Sequence, residues 1–143
     1  MKEHVLTFLG LMRRASAVQI GETAAGDAVK NGKAKLLLLC SDASDNSRKR
    51  AETFVYGRSA MLIKLPFTKE EVSTHIGVGC SMLAVTDLGF ANALMKKLCE
   101  IDSEAYGEAS AELERRFAKA ERRKAEKHGT DRNKNIGKRR TNT

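Results

Sequence analysis

Leu36-Leu37-Leu38-Leu39-Cys40 is the stretch that most limits what this chain can become. A continuous apolar run of strand length has no polar side to offer to water. It needs cover on both faces, which places it at the centre of a sheet between two layers. Lys35 before it and Ser41-Asp42 after it mark its ends. No longer apolar run occurs in the chain's 143 residues, and a membrane span needs roughly 20.

The segments around this strand supply the cover. Residues 3–14 return Val5, Phe8, Leu9 and Met12 at helical spacing. Val18-Gln19-Ile20 reads as a short extended piece, and Gly21 opens a second helix that carries Ala25, Ala28 and Val29 inward and stops at Asn31-Gly32. A third helix is expected from about Ser44 to near Gly57, burying Ala51, Phe54 and Val55. Met61 to Leu65 is the next strand, closed by Pro66. Thr68 and Glu71 then form a capping-box pattern, with Phe67 and Val72 as its hydrophobic staple. That fourth helix ends at Gly77, Met82 to Val85 is another strand, and Thr86-Asp87 precede a helix with Leu88, Ala91, Leu94, Met95 and Leu98 on its inner face. Helices alternating with strands buried on both faces predict an α/β fold: a three-layer α/β/α sandwich with a small mixed sheet of about four strands.

The composition changes after about Ile101. Residues 1–114 hold 14 Lys/Arg and 15 Asp/Glu, whereas residues 115–143 hold 12 and 3. The excess behind the net charge of +8 therefore lies in the tail. The expected organisation is a domain over residues 1–100 and a basic extension over 101–143, helical to about 128 and disordered beyond. Within it, residues 103–127 are rich in Ala, Glu, Lys and Arg, with Tyr106, Leu113 and Phe117 as the few large apolar residues. The sequence predicts a solvated helix there, docking weakly on the core or folding on a protein partner. A tail of this charge attracts polyanions without selecting among them, so precise recognition must come from the nearly neutral core.

"LGLMRRAS", "IGETAAGDAVKNGKAKLLLLCSDASDN" and "VTDLGFANAL" together resemble the bacterial YlxQ-like branch of the ribosomal-protein L-seven-Ae / L-thirty-e superfamily, in order and spacing, across roughly residues 1–99. The resemblance implies the same sandwich, and binding of kink-turns, RNA helices bent sharply at a bulge. It implies two contact regions. Gly21, Glu22, Thr23 and Ala24 match the family's Gly-Thr-Asn-Glu motif, and the loop of Gly77, Val78, Gly79, Cys80 and Ser81 matches the one that packs over extruded nucleotides. Lys30, Lys33 and Lys35 are expected to flank the first region and meet phosphates. The physical grounds agree: a helix N-terminus offers free N–H donors and positive dipole, and a small apolar loop suits unstacked bases. Four positions depart from the pattern. The family's Asn is Thr23, its Glu is Ala24, its Lys is Asp27 and its Arg is Asn31.

No catalytic constellation emerges. Gly26 to Lys33 has one residue too many for a phosphate loop and lies at a helix end. His75 and Cys80 lack an orienting third residue, and Cys40, Cys80 and Cys99 are too scattered for a disulfide framework or a zinc site. Asp42, Asp45 and Asp87 read as helix caps. The sequence therefore predicts a cytoplasmic, non-catalytic binder of structured RNA, ribosomal or ribosome-associated, without cofactor or metal. The alternative is a protein–protein adaptor that kept the fold while its RNA face diverged.

Overall fold

The computed structural model describes the backbone of residues 2–141 and the side-chain surroundings of residues 2–125. In chain order the elements are α1 (Lys2–Arg14), β1 (Val18–Ile20), α2 (Glu22–Lys30), β2 (Leu36–Leu39), α3 (Asp45–Val55), β3 (Met61–Lys64), α4 (Lys69–Ile76), β4 (Met82–Val85), α5 (Leu88–Ile101) and α6 (Ser103–Thr141). The sheet order is β1-β4-β2-β3. β4 runs antiparallel to both β1 and β2, while β2 and β3 are parallel, joined by the α3 crossover. The expected mixed sheet is therefore present.

The apolar run behaves as its composition demands. Leu36, Leu38 and Cys40 enter one core layer with Leu83 and Val85, beneath α1, α4 and α5. Leu37 and Leu39 enter the other with Met82 and Ala84, beneath α2 and α3. Alternate residues thus serve opposite layers, the physical content of an α/β/α sandwich. Gly26 lets the second layer close: a Cβ there would lie 2.6 Å from the Phe54 ring, so α2 and α3 approach only because that atom is missing.

Helix ends follow the sequence closely, with one exception. Thr68 and Glu71 form the full capping box, and Phe67 and Val72 are both buried beside it. Asp87 Oδ1 accepts from the Phe90 N–H at 2.8 Å. Asp42 caps α4 from a distance in sequence, accepting from the Lys69 N–H at 2.9 Å. Asp45 is not a cap: Ser44 fills that role for α3, accepting from the Ser47 N–H at 3.1 Å.

α6 departs further from expectation. Its first turns are built into the main core, with Leu113 fully buried and Tyr106 nearly so. The Tyr106 hydroxyl donates to the Lys64 carbonyl at 2.6 Å, and Arg116 Nη1 donates to the Ser59 carbonyl at 2.9 Å. Asn92 of α5 donates to Glu114, which also pairs with Lys96. Along the helix, Arg116 Nε donates to Glu112 Oε2 at 2.8 Å. This first part of the segment docks firmly, where weak docking was expected. Disorder expected beyond about 128 falls outside the residues whose side chains are described.

Candidate nucleic-acid interface

Strand directions bring the two expected contact regions to one end of the sheet. β1 finishes there, β4 starts there, and β2 finishes there as well. Gly21, just past β1, donates its N–H to the Met82 carbonyl at 2.9 Å. One residue earlier, the Ser81 carbonyl accepts from the Cys40 N–H at 2.9 Å. The start of α2 and the close of the Gly77–Ser81 loop are therefore held side by side.

Gly21 stands at φ 98, ψ 159, a region essentially closed to side chains. The first helical bond is from Ala25 N–H to the Gly21 carbonyl, and no side chain caps the helix. The amides of Glu22, Thr23 and Ala24 thus lie in the turn that has no intrahelical acceptor, at the positive end of the helix dipole. Thr23 is exposed and Ala24 partly so. Glu22 is already engaged: its Oε2 pairs with Arg50 Nη1 at 2.8 Å, while Oε1 is buried without a partner. Arg50 neutralises the one acid at this helix start.

The loop hangs between two fixed points. At its entry Gly77 adopts the left-handed conformation that ends α4, and Arg13 of α1 donates to the Ile76 carbonyl there. At its exit Cys80 and Ser81 are partly buried, whereas Gly77, Val78 and Gly79 are exposed. The Cys40 thiol donates to the Cys80 carbonyl at 3.6 Å. Burial pushes the Cys40 thiol up to about 12, with Cys80 and Asp42 adding to the effect. Burial also raises Cys80, partly offset by a hydrogen bond from the Met82 N–H. Neither is an activated thiol. His75 faces away from such a role, its Nδ1 at 3.1 Å from the Glu71 carbonyl and its Nε2 at 3.2 Å from Glu3.

Lys30, Lys33 and Lys35 are not brought to this end. The nine residues of α2 span roughly 13 Å, and all three lysines lie at its far end. Lys30 sits over the Phe54 ring at 5.7 Å, and the Lys35 N–H bonds to the Val85 carbonyl, at the finish of β4. Lys33 instead edges a groove of about 370 Å³ running along α2, lined by Gln19, Ala24, Asp27, Ala28, Asn31 and Thr86. Gln19 reaches it because it pairs with Ala84 and shares its face of the sheet.

Arg13, Gln19, Arg50 and Thr86 were not singled out by sequence reasoning as site residues. Only Gln19 carried a signal, as the polar centre of an apolar three-residue strand. The others depend on pairings across the fold.

No protein-family model matches the chain. The "RNA-binding protein YlxQ" of Bacillus subtilis is 36% identical over 95 residues, covering 63% of this chain and 90% of that protein. The protein of the same name from Enterococcus faecium is 27% identical over 90 residues, covering 63% of this chain and 86% of its own length. Among solved structures, a protein of unknown function from Bacillus halodurans superposes with a TM-score of 0.58 at 27% identity, covering 63% of this chain and 91% of that one. The Giardia lamblia 15.5kD RNA binding protein, at 14% identity, shares the fold with a TM-score of 0.56, over 71% of this chain and 88% of its own.

Proposed function

This chain belongs to the YlxQ-like branch of the ribosomal-protein L-seven-Ae / L-thirty-e superfamily, and from that premise we propose that it binds structured RNA without catalysing a reaction. The observation that carries the reading is the Gly21–Met82 hydrogen bond, which sets an uncapped helix start beside a small exposed loop. The first offers N–H donors and dipole to phosphate or base acceptors, and the second covers bases turned out of a stack. Such a surface suits a bent RNA with an extruded nucleotide, as in a kink-turn, and it acts by favouring the bent conformation over the straight one. Ribosomal RNA is the natural source of such an element.

Lys33 and Lys35 meet phosphates on the arm that runs past the far end of α2. Residues 126–143, with six Lys/Arg and two Asp/Glu, act as a further arm whose contribution is salt-dependent and indifferent to sequence. The adaptor alternative has less support, because Tyr106 and Leu113 are already buried in this chain's own core.

The test is titration of a kink-turn RNA against a straight duplex of matched length, with the full chain and with residues 126–143 removed. The reading expects the kink-turn to bind more tightly in both proteins, with a smaller salt dependence after truncation. Equal affinity for the two RNAs, lost on truncation, would leave only tail electrostatics.

A further inference from the structure

The side of α6 turned away from the core is basic. At 3.6 residues per turn, Tyr106, Leu113 and Phe117 share one side of the helix, within about 40° of arc. Arg115, Arg116, Lys119, Arg122 and Arg123 share another, within about 120°. Between Glu112 and Ala125 the one acid on that basic side is Glu112, which Arg115 and Arg116 hold at 2.7 and 2.8 Å. Lys119, Arg122 and Arg123 are exposed and pair with no carboxylate among the described residues.

The direction of α6 decides where these charges stand. It runs back along α5, with Glu114 paired to Lys96 and the Phe117 ring 3.7 Å from where a Cβ on Gly89 would lie, in the first turn of α5. Along β3 it passes from the Lys64 carbonyl, held by Tyr106, to the Ser59 carbonyl, held by Arg116. Both routes lead to the end of the sheet where β4 finishes and β3 starts, opposite the Gly21–Met82 junction. From Phe117 to Arg123 the helix advances roughly 9 Å further. Lys35 is at this same end, its N–H bonded to Val85 and its carbonyl accepting from the Met61 N–H.

We infer that Lys119, Arg122 and Arg123 form a second RNA contact, a ridge that takes phosphates along a double-helical arm whose bend sits at the Gly21 end. That the bend sits there rests on the RNA-binding reading above. Residues one helical turn apart have Cβ atoms about 5–6 Å apart, so their long side chains can meet neighbouring phosphates. The basic side carries no large apolar residue to anchor a protein partner, and no amide or aromatic side chain to read a base. It therefore positions an arm without selecting its sequence. Leu113 ties α6 into the core, so the ridge stands at a set distance from Gly21 and responds to arm length.

The test compares the full chain with the full-length variant Lys119→Gln/Arg122→Gln/Arg123→Gln. Both are titrated at several salt concentrations with kink-turn RNAs whose arms are shortened in steps, and with straight duplexes of matched length. Circular dichroism checks that the exposed substitutions leave the helix content unchanged. With long arms the variant is expected to bind about tenfold more weakly, and its slope of log affinity against log salt to shrink by about 2–3. With arms too short to reach α6 the two proteins are expected to bind alike. The charge-keeping variant Lys119→Arg/Arg122→Lys/Arg123→Lys should bind as the parent does. An equal loss at every arm length, or no loss at any, would overturn the inference. Polyglutamate that binds the parent as tightly as long-armed RNA, and loses as much in the variant, would assign the ridge to an acidic protein and overturn it too. Equal binding of kink-turn and straight duplex, with the length-dependent loss intact, would count against the bent-RNA reading and not against the ridge.

Discussion

Gly21 donates its backbone N–H to the carbonyl oxygen of Met82 at 2.9 Å, so the residue that opens α2 also abuts the first residue of β4. Its φ of 98 is accessible only because it lacks a side chain, and nothing lies within 4 Å of where a Cβ would be. The penalty for Gly21→Ala is therefore confined to the backbone, about 1–3 kcal/mol. Urea denaturation is expected to show that loss, and kink-turn affinity should fall beyond it as the helix start turns. Unchanged affinity in a protein that is clearly destabilised would detach Gly21 from RNA binding.

Arg50 and Glu22 give a second prediction. Arg50 is largely exposed, so Arg50→Met should lower stability by only about 0–1 kcal/mol. Its effect on RNA is expected to be larger, because it leaves an unpaired carboxylate beside the helix start where phosphate would approach. Glu22→Gln in the same background removes that charge and should restore affinity. Titration of the single and double variants at low salt checks this; additive losses would show that the pair is only structural.

Leu113 tests whether α6 belongs to the core. It is fully buried in the main cluster with Leu94, Leu98 and Tyr106. Leu113→Ala should cost about 2–5 kcal/mol in chemical unfolding, with one cooperative transition. A solvated helix would tolerate the change within about 0.5 kcal/mol.

Cys40 predicts a loss of stability at alkaline pH. Burial raises its folded pKa to about 12 from the ordinary thiol value of 9.0. Between these values the unfolded chain has released the proton and the folded chain still holds it. Stability conferred by the neutral thiol is thus complete below about 9 and falls by about 1.4 kcal/mol per pH unit above it. Tyr106, raised by burial, acts in the same direction. Cys40→Ala should flatten the part of the profile due to the thiol, which denaturation at a series of pH values would reveal.

Much of the fold was legible because β2 left so little choice. An apolar run without a polar position calls for two covering layers, and the caps at Thr68, Gly77 and Asp87 punctuate the chain through local chemistry. The docking of α6 was less legible. Tyr106, Leu113 and Phe117 form a thin stripe on a charged helix, and only the fold shows that Tyr106 and Leu113 enter the core while Phe117 stays partly exposed. At the site, sequence motifs marked Gly21 and the Gly77–Ser81 loop, which the fold sets side by side, and three lysines that lie at the far end of α2. Residues close in sequence to Gly21 are carried away from it by the length of α2, whereas Arg50, 28 positions from Glu22, is brought within 2.8 Å.

β4, like β2, is buried on both faces and hydrogen-bonded along both edges. The Gly77–Ser81 loop runs directly into it, from a helix end already held by Arg13. Five residues strung between two such supports have few shapes to surrender when something settles on them. Under the proposed reading the surface is formed before the RNA arrives, so the work of bending would fall on the RNA and not on the protein.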